Sequence, residues 1–152
     1  MSSFIPSAPL SSAPATVAND GWYPDLAVEE FHSETGQGKT FDPSRIVAVL
    51  LAAVIEINAS LKDWRAAQTA PSLAEIAAPT YGGVSEKVIL YRTAVFTRAR
   101  AQLLGNTRDY DSTKDGHDRA EKLEATADDY LRQSNEALSR LTGRPRTIVE
   151  LI

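Results

Sequence analysis

The sequence has no cysteine, a single methionine and only two histidines. Without thiols there is neither a disulfide framework nor a thiolate metal site, and His32 and His117 stand too far apart to read as a zinc pair. Both are expected at the surface without partners, and no cofactor or metal is expected. Positive charge is also short. Lys plus Arg number 16 against 20 Asp plus Glu, leaving a net charge of -4 and a pI of about 5.2. That balance argues against broad attraction to nucleic acid or to an anionic membrane, while leaving local basic patches open. Long apolar runs are missing too: the longest, Ile46 to Ile57, is broken only by Glu56. It falls short of the roughly 20 residues that cross a bilayer, so it reads as a buried helix and no membrane is expected. Residues 1–20 contain no Lys or Arg and so lack the charged start of a signal peptide. They read as a flexible arm of Ser, Ala and Pro.

What is present is helical periodicity. Trp22-Tyr23-Pro24-Asp25 looks like a helix entry, with Asp25 capping a short helix to about Glu34 and Gly36-Gln37-Gly38 ending it. Asp42-Pro43 is a stronger start, because the carboxylate accepts from free amides and proline at the first helical position needs no donor. The helix it opens is expected to run to about Ala67, on a seam of Ile46, Leu50, Ala53, Ile57, Leu61 and Trp64. Val47, Val49, Leu51 and Val54 widen the seam to nearly the whole circumference of its first half, which calls for cover on several sides. Ser72 and Glu75 have capping-box spacing for one more turn, stopped by Pro79 and Gly82-Gly83. A second long helix is expected from about Ser85 to Arg108. A third runs from about Gly116 to Leu141 on a seam of Ala120, Leu123, Ala127, Tyr130, Ser134, Ala137 and Leu141, with Gly143 as C-cap and Pro145 as stop. The expected class is all-α: a small helical bundle of three long helices and one or two short ones over residues 21–143.

Residues 144–152 form the third segment, an extended tail. Gly143-Arg144-Pro145-Arg146 leads into the strand-like Thr147-Ile148-Val149-Glu150-Leu151-Ile152. Burying Ile148, Val149, Leu151 and Ile152 returns roughly 1.5–3 kcal/mol each. Fixing six residues of backbone costs about 1–2 kcal/mol apiece, so the two nearly cancel. Docking then requires a ladder or a groove on a partner, or a fold back onto the chain's own domain.

Several motifs invite chemistry and are better read as structure. Ser33 to Thr40 differs from a phosphate-binding P-loop only in having Ser at the first glycine, but helix precedes it and Phe41-Asp42-Pro43 postpones the helix that should follow. Asp111 to Gly116 resembles the start of an EF-hand loop, yet position twelve is Lys122 where a bidentate carboxylate is required. Asp128 and Asp129 lie about 100° apart on a helix and are poorly placed to share a substrate as acid and base. No catalytic residue and no enzyme activity is expected. Arg92, Arg98 and Arg100 are the candidates for contact with DNA, weighed against ion pairing on a helix face.

One resemblance spans the chain from Trp22 to Ile152. It is carried by Trp22-Tyr23-Pro24-Asp25, Thr40 with Arg45-Ile46, and Asn58-Ala59-Ser60-Leu61-Lys62-Asp63-Trp64-Arg65. It continues through Tyr91-Arg92-Thr93-Ala94-Val95, Tyr110-Asp111-Ser112-Thr113 with Gly116, Asp128-Asp129-Tyr130, Gly143-Arg144-Pro145-Arg146 and Val149-Glu150-Leu151-Ile152. This ordered set resembles the head completion proteins, or L-protein family, of P2-like tailed phages. The resemblance implies a virion structural protein at the head–tail junction, assembled in the host cytoplasm: an adaptor ring, matching a twelve-fold portal, that docks after DNA packaging and links head to neck and tail. Its implied partners are the portal protein, copies of itself, a neck or tail-terminator protein, and genomic DNA passing through the channel. Within that frame Val47, Leu51 and Val54 are the expected subunit–subunit contacts. Arg144, Arg146, Thr147, Ile148, Val149, Glu150, Leu151 and Ile152 are the expected contacts with portal or neighbour. The alternative is a small helical DNA-binding or packaging accessory protein using the three arginines.

Overall fold

A computed structural model describes residues 15–36, 41–108 and 114–144, with the side chains of 107–108 and 114–125 excepted. It is mostly helical, with two small sheets that the all-α expectation lacked. Strand β1 (Thr16–Val17) pairs antiparallel with β2 (Leu26–Ala27), in the register Thr16 with Ala27 and Val17 with Leu26. Residues 15–20, expected in the arm, are therefore part of the folded body: Val17 is buried and Val28 N–H donates to the Ala15 carbonyl at 2.9 Å. Strands of two residues are too short for a period-two pattern to register.

Helix α1 (Val28–Thr35) follows β2 directly. It begins after Ala27 and not at Asp25, whose Oδ1 is occupied by the Asn19 amide at 2.7 Å. Gly36, at φ 61°, ends α1 in the left-handed region that glycine enters without a Cβ penalty. Helix α2 (Pro43–Ser60) starts as expected, with Asp42 Oδ1 accepting from Ser44 N at 2.8 Å. Those bonds, first that from the Ser44 hydroxyl, hold the Asp42 carboxyl below its usual range. The expected run to Ala67 is interrupted only at Leu61 (φ −93°, ψ 0°), after which α3 (Lys62–Ala66) continues, with Arg65 N–H donating to the Leu61 carbonyl at 2.8 Å. Leu61 is itself buried. Trp64 of α3 meets the Trp22 ring edge-on, and Arg65 ion-pairs with Asp20 while lying over the Trp22 and Tyr23 rings at 5.0 and 5.3 Å.

A 3-10 turn, Leu73–Glu75, uses the expected Ser72–Glu75 pair, with Ser72 Oγ donating to Glu75 Oε1 at 2.9 Å. Strands β3 (Thr80–Tyr81) and β4 (Val84–Ser85) form a hairpin around Gly82-Gly83. Both glycines have positive φ, 57° and 78°, as a two-residue primed turn demands. Helix α4 (Glu86–Arg108) follows at once and runs through Gly105 without ending there. Helix α5 (Lys114–Thr142) returns antiparallel to it, capped by Gly143 at φ 68°.

The core lies between α2, α4, α5 and the N-terminal hairpin. Ile46, Leu50, Ala53 and Ile57 of α2 meet Tyr91, Ala94, Val95 and Ala99 of α4, with Phe31 of α1 edge-on to Phe96 at 5.6 Å. Ser134 is fully buried and donates from Oγ to the Ala94 carbonyl at 2.8 Å, so small side chains bring α4 and α5 together.

Candidate assembly surface

Helix α2 is the most apolar helix described, with a mean hydropathy of 1.5, yet only 33% of it is buried within this chain. By length and composition alone it also passes for a membrane span. Its buried residues follow the predicted seam. Opposite them lie Ala48, Leu51, Ala52, Ile55 and Ala59, all exposed and spaced 3-1-3-4, one continuous face of a helix. Leu51 is 43% exposed and Ile55 is 70% exposed. Exposed apolar side chains that are contiguous, not scattered, mark a surface to be covered.

This corrects the residues expected on that surface. Leu51 is on it. Val54 is 6% exposed and belongs to the chain's own core, because it sits about 100° around the helix from Ile55. Val47 is half-buried against the core at the edge of the exposed face. Ile55 was missed. The excess of apolar residues signalled that a second face existed, but only the position of α4 decides which residues fill which face.

The three arginines do not form a patch. Arg92 contacts Glu34 through Nε at 2.9 Å and Glu30 through NH1 at 3.4 Å, close ionic contacts that tie α1 to α4. Burial raises the Glu34 carboxyl above its usual range, and Arg92 only partly offsets this. Arg98, with its side chain 14% exposed, reaches Glu56 of α2 at 3.1 Å and donates to Asn135 of α5 at 2.9 Å. Arg100 lies 5.9 Å from the Tyr130 ring centroid. The three point to three different neighbours. Two of them are already matched to carboxylates.

Beneath the N-terminal hairpin, Asn19, Asn58 and Tyr91 close a ring of hydrogen bonds. Asn19 Nδ2 donates to Tyr91 Oη at 2.8 Å, Tyr91 Oη to Asn58 Oδ1 at 2.6 Å, and Asn58 Nδ2 to Asn19 Oδ1 at 3.0 Å. Tyr23 stacks on Tyr91 with centroids 4.7 Å apart, and burial pushes its hydroxyl up to about 12. Burial also raises Tyr91. Asp20 goes the other way: burial opposes its ionisation, but the Tyr23 and Trp22 amides and then Arg65 hold its carboxyl below the ordinary range. Asn58 belongs to α2 and Tyr91 to α4, so the ring fastens the N-terminal hairpin to both helices.

At the C-terminal end of α2, Ser60 and Leu61 share a groove of about 250 Å³ with Asn135, Leu138, Ser139, Thr142 and Arg144 of the α5 end. Arg144 N–H donates to the Ser139 carbonyl at 3.1 Å and so closes the end of α5. Arg146 and residues 147–152, named above as contacts, lie outside the described residues, as do residues 37–40 of the P-loop-like segment and 111–113 of the EF-hand-like one. Of the former, Ser33 to Thr35 are the last residues of α1, and no strand delivers them. Asp128 is exposed, and the exposed Asp129 pairs with Arg132 at 2.8 Å. His32, expected to be free, is half-buried beside the Phe31 ring at 5.9 Å. The His117 side chain is outside the described set.

Comparison with known proteins gives this surface a context. The chain is 29% identical over 139 residues to the "Head completion/stabilization protein" of Escherichia phage P2, covering 90% of this chain and 82% of that one. It is 26% identical over 139 residues to the "Probable head completion/stabilization protein" of Haemophilus phage HP1, covering 90% and 91%. No solved structure matches. The model of one family, described as "Phage head completion protein (GPL)", matches residues 17–152, from β1 to the last residue of the sequence. The protein thus belongs to the phage head completion (GPL) family, a family of virion structural proteins and not of enzymes.

Proposed function

We propose that the chain forms an adaptor ring at the portal vertex: it docks on the portal after DNA packaging and links the head to the neck and tail. The observation that carries this reading is the exposed face of α2, with Leu51 43% and Ile55 70% exposed on an otherwise well-packed body. A ring of identical subunits uses a heterologous interface, in which one face of each copy meets a different face of the next. The α2 face is the first of these. A copy number of twelve follows if the ring matches the portal. Residues 144–152 supply a second contact, to the portal or to the adjacent subunit.

The acidic balance of the chain is compatible with DNA moving through such a ring, since a strongly cationic lumen would hold the duplex by counterion release. The DNA-binding alternative loses support from the placement of Arg92 and Arg98, whose charges are matched within the fold. A gel shift across a salt series separates the two readings: the adaptor gives little binding at any salt, and the accessory protein gives binding that falls steeply as salt rises.

The direct test is Leu51→Asp with Ile55→Asp. The variant should keep its helicity and fail to load onto portal-containing heads. Normal loading would remove α2 from the interface.

A further inference from the structure

Two stretches of the described chain combine a run without charge and a large apolar side chain at the surface. Residues 46–55 of α2 are one, with Leu51 and Ile55 exposed; residues 76–85 are the other, with Tyr81 59% exposed on the hairpin of β3 and β4. Leu51, Ile55 and Tyr81 are the large apolar side chains exposed among the described residues. The exposed faces of α1 and α5, by contrast, carry Glu29, Glu30 and Glu34 on the first and Asp128, Asp129, Arg132 and Arg140 on the second.

The two uncharged patches have opposite shapes. Ala48, Leu51, Ala52 and Ile55 stand at i, i+3, i+4 and i+7, the four positions that outline a hollow for an incoming side chain on a helix. Tyr81 is a knob. Its hairpin turns at Gly82-Gly83, pairs Tyr81 with Val84 and is tied to the start of α4 by Glu86 N–H, which donates to the Pro79 carbonyl at 2.9 Å. The phenol ring therefore projects from backbone that is already ordered, and docking fixes only two side-chain torsions.

A chain cannot fill its own hollow. Asn58 of α2 bonds Tyr91 of α4, and Glu56 reaches the later residues Arg98 and Gln102, so the two helices run antiparallel. Ala52 lies six residues from Asn58 and Glu86 five from Tyr91, in opposite directions, which sets the hollow and the start of α4 about 16 Å apart at 1.5 Å per residue. The hairpin comes before that start.

We infer that the α2 hollow of one copy receives Tyr81 of the next, so that hollow and hairpin are the two unlike halves of one heterologous contact. The inference rests on the adaptor-ring reading and names the second face which that reading needs. Unlike patches at separate places on one chain repeat from copy to copy, and close when the rotation between copies permits. A contact this small buries less than the roughly 1,200 Å² of a stable complex, so it is transient between free copies. Copies held side by side on a larger ring meet at an effective concentration in the millimolar range, where it persists.

Mixing two blocked chains tests the pairing. Tyr81→Asp keeps the hollow and loses the knob, whereas Ile55→Asp keeps the knob and spoils the hollow; both sites are exposed enough to leave helicity unchanged. In sedimentation from micromolar to millimolar concentration, the wild type should rise in mean mass and each variant alone should stay a single chain. An equimolar mixture of the two should approach the mass of a pair and go no further. Self-association of Tyr81→Asp would seat the α2 face on a second α2 and overturn the pairing, and self-association of Ile55→Asp would leave the hollow out of it with the same result. A mixture that stays single, or a wild type that stays single throughout, would overturn it as well. A chain that associates in this pattern but never loads onto heads contradicts only the portal reading, and one that loads without the pattern contradicts only the pairing.

Discussion

Two tyrosines in the same buried stack carry opposite predictions. Tyr91 Oη accepts from Asn19 and donates to Asn58, whereas Tyr23 Oη is buried with no hydrogen-bond partner among the described residues. Tyr91→Phe leaves two amides short of a partner and should cost about 1–3 kcal/mol. Tyr23→Phe removes an unsatisfied hydroxyl and should be neutral or slightly stabilising. Urea denaturation of the two variants checks the contrast, and equal losses would contradict it. The same tyrosines set an alkaline limit. Burial pushes the Tyr23 hydroxyl up to about 12 in the folded chain, against about 10 for an ordinary tyrosine, and raises Tyr91 as well. Between those values the unfolded chain gives up protons that the folded chain keeps, so stability falls as pH rises from 10 toward 12. The urea midpoint should drop between about pH 9 and pH 11, and the drop should shrink in Tyr23→Phe; an unchanged drop would remove Tyr23 from the account.

The elements that local chemistry specifies were legible in the sequence. Asp42-Pro43 opens α2, Gly143 closes α5, and Ile46, Leu50, Ala53, Ile57 and Leu61 are buried on the seam their spacing defines. What escaped depends on partners distant in sequence. The interruption at Leu61 has no proline or glycine to announce it, and the contacts that follow it, Arg65 with Asp20 and Trp64 with Trp22, join residues more than 40 positions apart. The pairing of Thr16–Val17 with Leu26–Ala27 likewise needs the closure of the Asn19–Asp25 turn, whose bonds run between side chain and backbone. The split of α2 into a buried and an exposed face needs the axis of α4. That is why Val54 was expected outside and Ile55 was overlooked. At this scale Ser134 is the sharpest probe. Its hydroxyl touches the Ala94 carbonyl where α4 and α5 approach, so Ser134→Leu should force the helices apart at about 1–3 kcal/mol. A variant with the wild-type thermal midpoint would contradict that packing.

For the whole molecule, a closed core and an open apolar face coexist. Leu50, Leu103 and Leu141 are fully buried, while Ile55 projects from the opposite side of α2. Asp at position 55 should therefore change stability by no more than about 0.5 kcal/mol, as for a surface site, while Leu50→Ala should cost about 2–5 kcal/mol. That combination suits the proposed adaptor, whose subunits would fold first and still offer a surface for assembly to cover. The most direct measurement is a reconstruction of the portal vertex of DNA-filled heads at a resolution that separates helices. The account predicts a ring of copies of this chain on the portal, with α2 of each copy turned toward the next subunit. Heads completed without this protein at the vertex, or a ring in which the α2 face is left bare to solvent, would contradict it.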